Sequence, residues 1–131
     1  NSSSLSSVIT SMKIMKEVGY KGYKIVYDTF HHAIGPDNIK ILDNEYTIQF
    51  IGLVHISSVT SDIPLDHYRD EHRNIDFIRD KMSNKEQIEF LVNRGYQGII
   101  SFEPFAEEIQ KLDKQQLKAK INQAIDYLYL K

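Results

Sequence analysis

Three short apolar runs decide how this chain folds. Gly98–Glu103 reads GIISFE, Tyr23–Asp28 reads YKIVYD and Ile51–His55 reads IGLVH. Runs of this length, rich in β-branched and aromatic residues, are typical of buried strands. Each run ends on a potential metal ligand, and the carboxyl ends of parallel strands share one edge of a sheet. An oxygen, nitrogen, oxygen set is therefore predicted there, which is the layout of a metal site in a parallel α/β barrel.

Helical patterns alternate with these runs. Apolar residues spaced three and four apart predict a first helix over residues 5–18, which ends at Gly19. The middle strand is predicted over Ile48–Ile56, and a long polar loop over residues 57–74. The order α-β-α-β-α-β-α predicts parallel strands joined by crossover helices. The other expected features are N-caps at Ser3, Ser4 or Ser6, a short helix through Ile39, Ile41 and Leu42 capped by Asp37 or Asn38, a helix from Ser83 or Asn84 through Val92, and a last helix over residues 114–130.

The length of the chain bears on its architecture. With 131 residues it is expected to form a single domain over residues 1–131. A complete eight-stranded barrel needs roughly 250 residues, and three strands leave two open sheet edges. The chain also begins at Asn1 with five serines among its first seven residues. Two architectures fit these facts: the C-terminal portion of a barrel whose N-terminal part lies outside the chain, or a small open α/β sheet.

Composition excludes several classes of function. The net charge of −2 and the sequence pI near 6.2 give no electrostatic basis for binding nucleic acid or an anionic membrane. The absence of cysteine excludes disulfides, zinc–thiolate sites and thiol catalysis. No apolar run approaches the length of a membrane span, and no signal peptide pattern is visible at the start, so a cytoplasmic location is expected.

The candidate ligands each have a structural explanation beside the functional one. Asp28 and His31 form a D-x-x-H pair, with His31 predicted in a loop after the strand. Asp28 could bind a metal while His31 reaches a substrate hydroxyl or a second metal, and a helix-capping or turn aspartate with a solvated loop histidine fits equally well. His55 sits in an apolar strand, where a histidine is more often a core residue, although its place at the strand end favours a ligand. Glu103 directly follows a buried strand, where a carboxylate is costly to bury unless it is paired or metal-bound.

Two arginines lie in the polar segment. Arg69 and Arg73 could make bidentate contacts with oxyanions or polyol oxygens. The alternative is a solvated charge cluster in which they pair with Asp66, Asp70 and Glu71. The pattern favours this alternative for Arg69 and leaves Arg73 open.

Four segments together resemble the xylose isomerase-like TIM barrels. They are Tyr27–His31 (YDTFH), Val54–Ser58 (VHISS), Asp70–Arg73 (DEHR) and Gly95–Glu103 (GYQGIISFE). This group includes sugar phosphate isomerase/epimerase-like proteins, inosose isomerases, ketose 3-epimerases and type IV AP endonucleases. The resemblance covers nearly the whole chain and implies an α/β fold: a partial (β/α)8 TIM barrel made of its last three strand–helix units.

The resemblance also implies a site. It assigns a divalent metal ion (Mn, Zn, Co or Mg) to Asp28, His55 and Glu103, with a fourth ligand, a glutamate, on a strand before Asn1. Glu103 would also act as a catalytic acid/base, and His31 and Arg73 would contact substrate. One departure is that residues 74–83 lack the Pro-Gly-x-Gly loop that often closes the site in this family.

The function implied is that of a metal-dependent isomerase or epimerase of a small sugar or polyol, acting by proton transfer beside a carbonyl. The isolated chain is expected to be inactive unless another chain completes the site. One alternative is a hydrolase like AP endonuclease IV, which the acidic net charge disfavours. The other is a non-catalytic partial barrel, and open strand edges favour homo-oligomers.

Overall fold

The computed structural model describes residues 7–19, 21–40 and 45–128. One or more helices lie between successive strands of the described chain, and two short 3-10 helices lie between the second strand and the helix that follows it. The elements are α1 (Val8–Val18), β1 (Ile25–Asp28), α2 (Thr29–Ile34), α3 (Glu45–Phe50), β2 (Ile51–Ile56), the 3-10 helices Leu65–His67 and Asp70–His72, α4 (Asn84–Asn93), β3 (Ile99–Phe102), α5 (Glu107–Gln110) and α6 (Lys114–Leu128).

The three strands form one parallel sheet in the order β1-β2-β3. Its register places Asp28 beside His55, and His55 beside Ser101 of β3. The backbone N–H of Glu103 donates to the carbonyl of Ile56 at 2.9 Å, which extends the β2–β3 pairing past the end of β3. The predicted set of parallel strands alternating with helices is confirmed, and all three candidate ligands lie at one edge of the sheet.

Helices cover one face of this sheet. Tyr27, Val54 and Ile56 are buried in a core that includes Leu91 of α4 and Ala124 of α6. Successive side chains of a strand point to opposite faces, so the neighbours of these residues lie on the other side.

The other face of the sheet carries an apolar row. Val26 pairs with Leu53, and Leu53 pairs with Ile99. In this row Val26 is 51% exposed and Ile99 is 69% exposed. We call Val26, Leu53 and Ile99 the open-face row.

The first helix begins later than predicted. Ser7 is its N-cap, because the Ser7 hydroxyl accepts a hydrogen bond from the Thr10 N–H at 3.1 Å. The helix therefore starts at Val8, and the candidate caps Ser3, Ser4 and Ser6 lie outside the described residues. Gly19 ends the helix with a positive φ of 67°, a conformation that favours glycine.

Asp37 caps a different helix from the one predicted. Its carboxylate accepts from the Ser7 hydroxyl at 3.2 Å and from the Val8 N–H at 2.7 Å, at the start of α1. Asn38 accepts from the Lys40 N–H at 3.0 Å, while Ile41 and Leu42 lie outside the described residues. A capping residue close in space but thirty positions away cannot be identified from local spacing.

The predicted start of the second strand is wrong. Residues 48–50 belong to α3 rather than to the second strand, which starts at Ile51. The apolar pattern there fits a buried helix end as well as a strand.

The region after Asp28, predicted as a loop, forms α2. Residues 57–74, also predicted as a loop, contain the two 3-10 helices.

An antiparallel bridge closes this polar segment. Ser58 and Asn74 exchange backbone hydrogen bonds of 2.8 and 2.7 Å, so the two ends of the segment meet. The bridge returns Arg73 to the carboxyl end of β2, next to the candidate ligands. Of the helices that the structure describes, none has the length and apolar character needed to span a membrane.

A buried polar network ties α4 to the ends of β1 and β2. The Asn84 side chain donates to the Ser57 carbonyl at 2.9 Å and accepts from the Thr29 hydroxyl at 2.5 Å. The Tyr27 hydroxyl donates to Gln87 of α4 at 2.7 Å. Burial, reinforced by the nearby Asp28 carboxylate, raises the pKa of Tyr27 far above its usual value, so the phenol stays a donor.

Asn84→Ala is expected to lower the free energy of unfolding by about 2–3 kcal/mol, because it leaves buried groups at the ends of two strands without partners. Urea unfolding measures the loss. Asn93→Ala, at an exposed position of the same helix, is the matched control and is expected to change stability by less than about 0.5 kcal/mol. Equal losses for the two variants would contradict the role given to Asn84.

Buried His32 makes stability depend on pH. Its ring packs 5.1 Å from the Tyr27 ring, and burial lowers its pKa, an effect that Asp37 partly opposes. The folded chain therefore binds this proton less readily than the unfolded chain. As pH falls through about 6.5, the unfolded state is protonated first, and stability decreases.

His32→Gln is expected to flatten the dependence of unfolding free energy on pH between about 7.5 and 5.5, because it removes the group that titrates differently in the two states. Urea unfolding at a series of pH values measures the slope. His67→Gln makes the same substitution at an exposed histidine and is the matched control. A slope unchanged by His32→Gln would contradict the prediction.

Candidate metal centre

Three partly buried side chains meet at the carboxyl edge of the sheet. Asp28 ends β1, His55 is the penultimate residue of β2, and Glu103 directly follows β3. One ligand atom from each lies within 4.8 Å of the others. His55 Nδ1 and Glu103 Oε1 are 3.2 Å apart. The structure therefore brings together all three residues that the sequence proposes as metal ligands.

Asp28 fits both interpretations that the sequence allowed. Its Oδ1 accepts from the backbone N–H groups of Phe30 at 2.9 Å and His31 at 3.4 Å, so it is the N-cap of α2. Its Oδ2 lies on the side of the site and accepts from Arg73. A carboxylate has about four lone-pair positions, so these contacts leave capacity for an ion. The capping contacts fix the orientation of this ligand.

Arg73 is the most buried charge in the site. It is only 2% exposed, and its Nη2 donates to Asp28 Oδ2 at 2.8 Å and to Glu103 Oε2 at 2.7 Å. Its Nε donates to the Ser57 hydroxyl at 2.9 Å, and its Nη1 to Asp70 at 3.4 Å. The solvated charge cluster is therefore wrong for Arg73, whose guanidinium bridges two of the three candidate ligands.

Arg69 follows the structural alternative in its exposure but not in its partners. It is exposed, and its Nη1 donates to the backbone carbonyls of Asp66 at 2.8 Å and Tyr68 at 2.7 Å. The expected carboxylate partners are replaced by backbone oxygens, because the 3-10 turns point their carbonyls towards it. Arg69 is therefore assigned to the local fold of the polar segment.

His31 stands beside the ligands on the first turns of α2. Its Nε2 is 3.9 Å from Asp28 Oδ2, and its side chain is 41% exposed. Its Nδ1 is buried and has no hydrogen-bond partner among the described residues. The predicted loop position is wrong, and the structure places a half-exposed imidazole next to the candidate ligands.

The sequence did not identify the groups that hold Arg73. Ser57 binds its Nε, and the rings of Phe30 and Phe105 each lie 4.9 Å from its guanidinium carbon. One signal was available for Ser57, which follows His55 by two positions. The two phenylalanines come from distant segments and carry no such signal.

The donor set suits a divalent ion. Carboxylate oxygens with one imidazole are ligands that Mn, Zn, Co and Mg accept in proteins, and the lack of cysteine excludes thiolate ligands from this chain. The convergence of Asp28, His55 and Glu103 at bonding range supports the fit.

A parallel α/β sheet with ionisable side chains gathered at its carboxyl edge is the arrangement found in TIM-barrel enzymes. The sequence profile of the xylose isomerase-like TIM barrel family matches residues 3–130. The chain belongs to this family, as the four sequence segments predicted, and its fold is part of such a barrel.

Solved structures agree with this assignment. A xylose isomerase domain-containing protein from Salmonella typhimurium LT2 is 33% identical, with a TM-score of 0.90 over 97% of this chain and 46% of its own. The IolI protein, solved with a bound zinc atom, is 22% identical, with a TM-score of 0.73 over 92% of this chain and 44% of its own.

A third structure shows the same fold. D-psicose 3-epimerase from Clostridium cellulolyticum H10, solved with D-tagatose, is 19% identical, with a TM-score of 0.62 over 95% of this chain and 43% of its own. This chain thus spans less than half the length of each of the three structures. Among curated protein sequences, none matches the chain at a significant level.

Proposed function

We propose that this chain is the C-terminal part of a divalent-metal-dependent isomerase or epimerase that acts on a small sugar or polyol. The observation that carries the proposal is the convergence of Asp28, His55 and Glu103 within 4.8 Å at the carboxyl edge of a family barrel. The zinc atom of the IolI structure and the D-tagatose of the epimerase structure support the choice of ion class and substrate class.

Glu103 is the candidate acid/base. A divalent ion held by Asp28, His55 and Glu103 would polarise a substrate carbonyl and stabilise the negative charge that develops on its oxygen. The Glu103 carboxylate is partly exposed at 32%, so it can reach a carbon beside that carbonyl and move its proton. Its Oε2 accepts from Arg73 at 2.7 Å, and its Oε1 lies 3.2 Å from His55 Nδ1.

Two further residues are proposed to contact substrate. The half-exposed His31 can hydrogen-bond a sugar hydroxyl from the side of α2. Arg73 can reach substrate oxygens only through Nη1, because Nη2 and Nε already bind the ligands and Ser57. The Nη1 contact with exposed Asp70 is the longest of its bonds, at 3.4 Å, and is the one that a substrate oxygen could replace.

The remainder of the site is proposed to come from another polypeptide segment. The chain covers less than half of its structural relatives, and one face of its sheet is exposed at Val26 and Ile99. We expect little or no isomerase activity from residues 1–131 alone. A second segment that supplies the rest of the barrel is expected to restore it.

Deuterium uptake tests the proposed reaction. The chain is loaded with Mn²⁺ and incubated in D₂O with ketoses and inososes. One sample contains the chain alone, and the other also contains the second segment that supplies the rest of the barrel. NMR then follows exchange at the carbon beside the carbonyl, and exchange only in the completed barrel is expected. Rapid turnover by the isolated chain would refute the proposal that its site needs a second segment. Cleavage of an abasic DNA duplex without any exchange would support the endonuclease alternative.

A further inference from the structure

The geometry points to Arg73 as a positioning residue of the metal centre. In this proposal, which rests on the proposed metal site, Arg73 holds Asp28 and Glu103 in ligand geometry before an ion arrives and weakens the binding of that ion. This role is additional to a substrate contact, because it uses different nitrogens of the same guanidinium.

One nitrogen joins the two carboxylates. Nη2 of Arg73 lies 2.8 Å from Asp28 Oδ2 and 2.7 Å from Glu103 Oε2. Charge-assisted hydrogen bonds of this length are the strong ones in proteins. They take one oxygen of each carboxylate and leave Glu103 Oε1 beside His55 Nδ1. The ligand side chains are therefore oriented by contacts within the chain itself.

Arg73 is itself held firmly. Ser57 fixes its Nε, and the rings of Phe30 and Phe105 lie beside the guanidinium. The carbonyl of Arg73 accepts from the backbone N–H groups of Phe105 and Ala106 at 3.0 and 2.8 Å. The same residue thus links the segment after β2 to the segment after β3. An arginine with these contacts cannot leave the site without breaking several of them.

The charge balance sets the direction of its effect on an ion. Two carboxylates so close together repel each other, and the guanidinium reduces their summed charge from −2 to −1. The carboxylates therefore remain in place without metal. The same positive charge opposes an incoming divalent cation, so Arg73 makes the site preformed but lowers its affinity.

A double-mutant cycle without metal tests whether Arg73 positions the ligands. Arg73→Met, Glu103→Gln and the double variant are unfolded with urea in the presence of a chelator. Methionine retains apolar contact with the two rings but removes the charge. The coupling between the two positions is expected to change the folding equilibrium constant by at least about tenfold, or about 1.4 kcal/mol. Additive effects would overturn the positioning role. If Arg73→Met does not fold, Arg73→Lys replaces it in the cycle.

A metal titration tests whether Arg73 lowers the affinity of the site for a divalent ion. Calorimetry with Mn²⁺ is expected to show binding at least about tenfold tighter in Arg73→Met than in the wild type, with Arg73→Lys closer to the wild type. A purely structural residue would weaken binding when replaced. Arg69→Met, at an exposed arginine bonded to backbone oxygens, should leave the affinity unchanged. Equal or weaker binding by Arg73→Met would overturn the proposed effect on affinity.

The two measurements separate this inference from the proposed function. Coupling between Arg73 and Glu103 without any Mn²⁺ binding by the wild type would refute the metal centre and keep the structural pairing. Binding of Mn²⁺ by the wild type, together with additive effects and an unchanged affinity, would refute the role of Arg73 and keep the metal centre.

Discussion

Glu103→Gln is expected to weaken the binding of Mn²⁺ or Zn²⁺ by at least about a hundredfold, or about 2.7 kcal/mol. The substitution preserves the shape of the side chain but replaces a charged oxygen donor with a neutral amide. Only Asp28 and His55 of the three convergent ligands would remain. Arg73 Nη2 would keep Asp28 at 2.8 Å but lose its second charged partner at 2.7 Å, so the site would become more positive and would hold one charged ligand fewer. Isothermal titration calorimetry measures the change.

The control for this prediction is Glu107→Gln. Glu107 begins α5, only four residues from Glu103, and its carboxylate is exposed and paired with Lys111 at 2.6 Å. The two variants therefore make the same chemical change close together in sequence, one inside the site and one outside it. Equal affinities in both variants and the wild type would mean that the ion, if bound, lies elsewhere.

The position of the ligands could be predicted because a strand has a simple geometry. Parallel strands place their carboxyl ends at one edge, so a polar residue at the end of each apolar run is enough to predict the convergence of Asp28, His55 and Glu103. The same pattern did not reveal α2, because Asp28 ends the strand and caps the helix at once.

The surroundings of the ligands could not be predicted in the same way. Arg73 is bonded to Asp28 and Glu103, which lie 45 and 30 positions away, while its neighbours in sequence left open a solvated charge cluster as the alternative. The bridge between Ser58 and Asn74 brings it back to the sheet. A contact that depends on how a loop closes has no signature in local composition. The burial of this arginine is thus a property of the fold.

A Val26→Lys/Ile99→Lys double variant is expected to weaken self-association of the chain by at least about a hundredfold. The open-face row exposes both side chains, and β1 and β3 are the outer strands of the described sheet. We propose that the free chain forms homo-oligomers, as open strand edges favour, and that the copies bury the open-face row between them. Burying an aliphatic side chain contributes about 1.5–3 kcal/mol, so one charge at each end of the open-face row should remove most of the affinity.

Sedimentation over about a hundredfold range of concentration measures this change, with the wild type shifting from monomer to oligomer and the variant remaining a monomer. Val92→Lys/Ile78→Lys is the matched control, because these residues are similarly exposed, at 49% and 54%, but lie outside the sheet. A wild type that stays monomeric throughout would refute self-association. An equal effect of the control variant would show that added charge, rather than the open face, decides the oligomeric state.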